Sequence, residues 1–293
     1  MFDGGVCKAG STKLRRKIIC IKGDISNLGF VKKIIIHYRP QTIFHLAAEA
    51  IVEIANRNPI KTFTTNIEGT WNILEASRGK RFIEAIVSAS SDKAYGNHKR
   101  LPYREDTALR GEHPYDVSKS CADLLCQTYF KTFGVPVCVT RCGNIYGPGD
   151  FHFSRIIPDS ICSVLQNKKL VIRSDGQFTR DYVYVEDIVT AYLMLAQKMK
   201  KLHLFGQAFN FSNEQPIKVI DLFKEIARLC TQNGKIKMQP KILNKADFEI
   251  RHQYLSSRKA RKILQWKPKH TLKQGLLKTI GWYRRNPGIE IDA

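Results

Sequence analysis

Ala85-Ile86-Val87-Ser88-Ala89 runs directly into Ser90-Ser91-Asp92-Lys93-Ala94-Tyr95-Gly96, and downstream stands Pro114-Tyr115-Asp116-Val117-Ser118-Lys119. The first five residues read as a buried strand, and Asp116 to Phe133 carries apolar residues at three- and four-residue spacing, the signature of a helix. Tyr115 and Lys119 are four apart and so share a helix face. A free phenol titrates near 10. A neighbouring ammonium favours the phenolate, which suits Tyr115 to take a proton from a hydroxyl, with Ser91 as a hydrogen-bonding partner for that hydroxyl. Alone, a tyrosine and a lysine at this spacing are an ordinary helix-surface pair. The Ser-Ser-Asp segment upstream tips the reading toward chemistry.

The same alternation continues outward. Strands are predicted at Ile18 to Lys22, Thr42 to Leu46, Ala85 to Ala89 and Val135 to Arg141, with helices at Asn27 to Tyr38, Pro59 to Ser77 and Asp116 to Phe133 between them. Pro40, Gly79 and Gly134 end the three helices. Strand and helix in turn is the pattern of parallel βαβ units. After Gly147-Pro148-Gly149 the pattern is less regular: a helix near Arg155 to Gln166, a strand near Leu170 to Arg173 and a polar turn at Ser174-Asp175-Gly176. A strand at Tyr182 to Tyr184, a helix from Glu186 to Lys198 and a strand at Ala208 to Phe211 return to the first pattern. From Pro216 on, the chain reads as helical and basic.

The 293 residues are 43% hydrophobic, enough for a sizeable core in one large α/β domain or two lobes. The net charge is +22, but its basic clusters at Lys13 to Lys17, Lys168 to Arg173, Lys198 to Lys201 and Arg258 to Lys262 are dispersed. A solvated basic surface is expected, with a few charges serving an anionic substrate and no nucleic-acid partner. Eight cysteines lack zinc-site spacing, so no metal is expected. Apolar stretches fall well short of the ~20 residues of a membrane span, and the chain reads as soluble and cytoplasmic.

Several further segments, in order, resemble the extended short-chain dehydrogenase/reductase family and its NAD-dependent epimerases and dehydratases. They are Gly23-Asp24-Ile25, Phe44-His45-Leu46-Ala47-Ala48, Asn66-Ile67-Glu68-Gly69-Thr70, the two segments above, Arg141 to Gly149 and Arg180-Asp181-Tyr182-Val183-Tyr184-Val185-Glu186-Asp187. The resemblance implies an α/β fold: an NAD-binding, Rossmann-like, doubly wound parallel sheet with a smaller C-terminal lobe over a nucleotide sugar. The implied division places 1–142 with 182–213 in the dinucleotide-binding domain and 143–181 with 214–293 in the substrate domain. The glycine-rich turn that cradles a pyrophosphate is not legible in Met1 to Gly10, so the first βαβ unit, of ~30 residues, is expected to be missing.

By this resemblance Asp24, Leu46, Ala47, Ala48, Asn66, Tyr115 and Lys119 bind NAD, while Asn144 and Arg180 bind the substrate diphosphate. Asp24 is otherwise a turn or capping aspartate, Leu46 to Ala48 tight strand-helix packing, Asn144 a loop asparagine and Arg180 a surface arginine. His45, between apolar residues on a strand, reads as a core histidine. Ser91, Asp92, Lys93, Tyr115 and Lys119 are the catalytic set. Asp92 followed by Lys93 separates activities: epimerases of the family usually carry small uncharged residues there, whereas a dehydratase needs an acid and a base. That pair, Pro114 to Asp123 and His252-Gln253-Tyr254-Leu255-Ser256 resemble the CDP-glucose 4,6-dehydratase branch. A lyase forming a 4-keto-6-deoxy sugar is the first expectation. A nucleotide-sugar epimerase, or an inactive truncated homologue, is the alternative. The resemblance also implies a homodimer or higher homo-oligomer.

Overall fold

The computed structural model describes residues 18–231, 239–245 and 249–286. Four strands, β1 (Thr42–His45), β2 (Ala85–Ala89), β3 (Val137–Cys142) and a later β8 (Ala208–Phe211), form one parallel sheet in the order β1-β2-β3-β8. Its register aligns Thr42 with Ala85, Ile86 with Val137 and Val139 with Ala208. Strand residues alternate between faces, and both faces are apolar because both are covered. Ile86, Val137 and Val139 meet Val31 and Ile35 of α1 (Leu28–Tyr38), Leu74 of α4 (Gly69–Ser77) and Cys126 of α5 (Pro114–Phe133). On the other face Val87, Cys138, Phe209 and Phe211 pack against Ile188, Ala191 and Leu195 of α7 (Val185–Lys198) and against Trp266.

A second packed unit gathers α6 (Ile156–Leu165), α8 (Val219–Cys230) and α9 (Leu272–Arg285) around Tyr146, Tyr182 and Tyr184. Small strand pairs accompany it: β4 (Asn144–Tyr146) lies parallel to β7 (Tyr182–Tyr184), β6 (Thr179–Arg180) antiparallel to β9 (Ile217–Lys218), and β5 (Val171–Ile172) parallel to β10 (Lys241–Ile242). Thr271 opens α9 with a capping box to Gln274.

Two expectations change. Residues 18–23 are exposed and form no strand, because strand composition alone does not make a strand, which exists only through ladder pairing with a neighbour. The helix expected over Pro59 to Ser77 has three parts: α3 (Pro59–Phe63), a π turn (Thr64–Glu68) and α4. Its apolar spacing stays helical throughout, so nothing in the periodicity marks the extra backbone residue of a π turn. A short helix, α2 (Val52–Arg57), precedes it. The opening residues Met1 to Gly10 and the cluster Lys13 to Lys17 lie outside the described residues.

Candidate active site

Strands β2 and β3 end at the same edge of the sheet, and α5 begins there. β2, buried from Ala85 to Ser88, delivers Ser90 and Ser91 to that edge, where Ser91 caps a single 3-10 turn over Asp92–Tyr95 by accepting from Lys93 N at 3.2 Å. Gly96 ends the turn at φ 68°, and a Cβ there would collide with the Arg110 carbonyl, so only glycine lets the chain turn away. Ser120 of α5 reaches back to Ala94 O at 2.8 Å. That bond staples the start of α5 to the turn and brings Tyr115, Asp116 and Lys119 against Ser91, Asp92 and Lys93.

Together these residues line a cleft of about 800 Å³. Leu46, Ala48, Asn144 and Arg180 also line it. Arg180 is buried, donates to the carbonyls of Thr179 (3.0 Å) and Arg251 (3.1 Å), and reaches Glu249 at 3.4 Å. Asn144 donates to Asp181 O at 3.2 Å.

Three predicted residues stand apart from the cleft lining. Asp24 is exposed and accepts from Ser26 N at 2.9 Å, a bond that holds its carboxyl below the usual range; this is the turn geometry given above as its alternative. Ala47 is exposed. Asn66 is buried in the π turn with both ends of its amide engaged. It accepts from Glu49 N (2.7 Å) and donates to Glu49 O (3.0 Å) and Ser118 Oγ (2.8 Å), so it ties the segment after β1 to α5. His45 is buried and neutral, pushed down to about 4 by burial, with Nε2 3.0 Å from Thr70 Oγ1.

The electrostatics of the cleft are governed by burial. Tyr115 is pushed up to about 12 by burial, against the pull of the Ser91 hydroxyl. Lys119 is pushed down to about 8, again by burial. The expected lowering of the phenol by Lys119 is therefore not what this site displays: the ammonium is 6.0 Å from the Tyr115 ring centre and donates instead to Ala89 O at 2.9 Å. Burial raises Asp92, which Ser91 Oγ also contacts at 3.0 Å, and lowers Lys93, with Arg180 adding to the effect. An acid that holds its proton more tightly than usual thus sits beside an amine that gives one up more readily.

Asp116 was not singled out from the sequence. It is buried, lines the cleft and is pushed up to about 6 by burial, against the ammonium of Lys93. Its adjacency to Tyr115 at the first turn of a helix was the available signal.

The residues present fit the nicotinamide half of a dinucleotide. Ser90 Oγ is buried without a hydrogen-bond partner among the described residues, and the Lys119 ammonium, with its three donors, is bonded to the carbonyl of the preceding residue, Ala89. Leu46, Ala48 and Ala89 line the same cleft with apolar side chains. Among the described residues no group of histidine, cysteine and carboxylate side chains could hold a metal.

The sequence profile of the GDP-mannose 4,6 dehydratase family matches residues 6–279. A trifunctional UDP-glucose 4,6-dehydratase, 3,5-epimerase and reductase of Arabidopsis thaliana is 30% identical over 276 residues, covering 91% of this chain and 39% of that protein. The chain thus spans about two fifths of that relative. The dTDP-glucose 4,6-dehydratase 1 of Escherichia coli K12 is 30% identical, with 90% of this chain and 78% of that protein covered. The CDP-glucose 4,6-dehydratase of Salmonella typhimurium is 28% identical, with 89% and 76% covered. Among solved structures, a UDP-glucose 4-epimerase from Thermotoga maritima with UDP-glucose superposes with a TM-score of 0.84 at 27% identity, covering 96% of this chain and 89% of that one. A Bacillus anthracis dTDP-glucose 4,6-dehydratase in complex with NAD gives 0.79 at 29% identity, with 92% and 80% covered. A tyrosine, a lysine and a Ser-Asp turn at the open edge of a parallel sheet, in a chain matched from residue 6 to residue 279, place this protein in the GDP-mannose 4,6 dehydratase family.

Proposed function

We propose that the chain is an NAD-dependent nucleotide-sugar 4,6-dehydratase whose substrate is CDP-glucose and whose product is the 4-keto-6-deoxy sugar. The observation that carries the reading is the shared cleft: Asp92 and Lys93 line the same cavity as Ser91, Tyr115 and Lys119. An epimerization at carbon 4 needs only the last three. Leu46, Ala48, Ser90 and Lys119 would hold the nicotinamide half of NAD, with Asn66 and Ala47 shaping its surroundings. When bound, NAD supplies an acceptor for the hydride of carbon 4 and a donor that returns it to carbon 6.

Tyr115 in its phenolate form, hydrogen-bonded by Ser91, takes the proton of the carbon-4 hydroxyl. The resulting ketone acidifies the proton on carbon 5. Lys93 in its neutral form removes that proton, and Asp92 in its acid form protonates the carbon-6 hydroxyl as it leaves as water. Asn144 and Arg180 bind the diphosphate, Arg180 through its planar fork of donors. Cytidine is favoured by the Asp92-Lys93 pair and by the runs Pro114 to Asp123 and His252 to Ser256, which resemble that branch. Residues up to Cys142 with 182–213 form the cofactor lobe, and the remainder the substrate lobe.

A nucleotide-sugar epimerase is the second reading, favoured by the superposition on the Thermotoga epimerase. Turnover in deuterated water separates the two. A dehydratase places deuterium at carbon 5, because solvent replaces the proton removed there. Clear inversion at carbon 4 without label at carbon 5 would refute dehydration. CDP-, dTDP- and UDP-glucose compared in the same assay test the base.

A homodimer is proposed through α3, α4 and α5. Ile60, Trp71 and Leu124 are exposed on those helices, and a second copy would cover them. Sedimentation as a monomer at micromolar concentration would exclude it.

A further inference from the structure

Gln253 is fully buried, and its Nε2 donates to the backbone carbonyl of Asp92 at 2.8 Å across 161 residues of chain. Among the described residues its Oε1 has no partner. A buried amide carbonyl left unpaired is unfavourable and uncommon, so a side chain held this way is anchored by its donor end alone. That donor end holds the turn that carries the acid and base.

The other side of Gln253 leads to the diphosphate site. Its backbone N donates to Thr179 O at 3.1 Å, and Thr179 N donates to Arg251 O at 2.9 Å. Arg251 O also accepts from Arg180 Nη1 at 3.1 Å. One short segment, 251–253, is therefore bonded at one end to the cleft arginine and at the other to Asp92. Arg180 also donates to Thr179 O and makes a longer contact of 3.4 Å to Glu249, whose side chain is 47% exposed. An anion that takes the guanidinium fork competes with Glu249 and leaves the bond to Arg251 in place.

We propose that Gln253 is a positioning residue that couples occupation of the diphosphate site at Arg180 to the placement of the Asp92–Lys93 turn. This rests on the nucleotide-sugar reading above. A continuous set of hydrogen bonds between two sites can carry such coupling, and its size is a measurable quantity.

Backbone amide exchange, read by mass spectrometry on peptides over 92–96, 143–146 and 179–182, tests it with CDP, UDP and dTDP as probes. In the wild-type chain a bound nucleotide is expected to slow exchange at 92–96 by about fivefold or more, together with 143–146 and 179–182. In Gln253→Leu the effect at 92–96 is lost while protection at 143–146 and 179–182 persists. Gln253→Glu keeps the size of the side chain, replaces the donor by an acceptor and is expected to behave as Leu does; it serves where the Leu variant does not fold. Retained protection at 92–96 in either folded variant overturns the coupling, as does its absence in the wild-type chain when 143–146 and 179–182 are protected. No protection at any of the three by any nucleotide overturns the nucleotide-sugar reading and the coupling with it.

Discussion

The Lys119 ammonium lies 6.0 Å from the centre of the Tyr115 ring and spends a hydrogen bond of 2.9 Å on the carbonyl of Ala89, at the end of the neighbouring strand. The two side chains share a helix face, yet the lysine is aimed at the sheet edge and not at the phenol. Burial then decides the phenol, pushing it up to about 12, and the Ser91 hydroxyl is the group that draws it back. Ser91 and Lys119 consequently have separate tasks: the serine acts on the phenol, and the lysine is tied to the end of the neighbouring strand at Ala89.

Replacement of Tyr115 by Phe removes the hydroxyl and leaves the packed ring. Turnover is expected to fall by about 10²- to 10⁴-fold, the range for loss of a positioned acid–base group. Binding of the nucleotide sugar should change by no more than a few fold, because no diphosphate contact is touched. Steady-state rates and calorimetric titration check both halves. Turnover within threefold of wild type would remove Tyr115 from proton transfer.

Much of this site was readable because the chain there obeys local rules. Ala85–Ala89, Tyr182–Tyr184 and Ala208–Phe211 form strands with the expected ends, since a strand buried on both faces is a short apolar run between polar breakers. Tyr115, Lys119, Ser91 and Asp92 meet because a strand end and a helix start meet in any βαβ unit. What escaped the sequence depends on distant partners. Ile18 to Lys22 has strand composition but forms no strand, and ladder pairing is not written in composition. Gln253 lies in the run His252 to Ser256 named above, but no local pattern marks its bond to Asp92, 161 residues away. Asp116 looks like a helix-start carboxylate until the staple from Ser120 to Ala94 buries it.

His45 gives a pH signature. Burial holds it at about 4, below the ordinary 6.5, so between those values the unfolded chain carries a proton that the folded chain lacks. Falling pH therefore favours unfolding through this group, by up to about 3 kcal/mol at pH 4. Asp116 acts in the opposite sense: raised to about 6 from 3.8, it holds a proton in the folded chain that the unfolded chain has released, so acid favours folding there. The expected observation is thus a difference. His45→Gln should lose less stability than wild type between pH 6.5 and pH 4, apart from a constant cost for the Thr70 bond. Parallel curves from denaturant titrations would show that His45 does not titrate as its burial implies.

Arg141 on β3 and Asp123 on α5 form a buried two-point pair, 2.7 and 3.0 Å long, and Arg141 also donates to the Tyr95 hydroxyl at 2.8 Å. Both side chains are almost wholly enclosed. Arg141→Met leaves the Asp123 carboxylate buried without its cation and is expected to cost about 3–5 kcal/mol. Arg141→Met combined with Asp123→Leu removes both charges and should recover much of that loss, because the desolvation of the carboxylate disappears with it. Urea unfolding of the two singles and the double measures the cycle. A double variant as unstable as the sum of the singles would mean that the pair matters chiefly through Tyr95 and the Glu105 carbonyl, to which Arg141 also donates at 3.2 Å.

Lys93 offers the sharpest test of the proposed elimination. Burial and the nearby Arg180 lower its affinity for a proton, while Asp92, Asp116 and Glu249 oppose them. Lys93→Met removes the base but no diphosphate contact. Oxidation at carbon 4 should therefore continue in a single turnover, visible as reduced nicotinamide, while deuterium entry at carbon 5 falls by about 10²-fold or more. Lys93→Glu puts another base at the same place. It should restore exchange at carbon 5 with a pH dependence moved to the acid side, since a carboxylate loses its proton at lower pH than an amine. The neighbouring carboxylates of Asp92 and Asp116 would limit that displacement by raising the new group. Equal exchange in wild type and Lys93→Met would assign the carbon-5 proton to another group, with Asp116 the buried carboxylate in the same cleft to examine next.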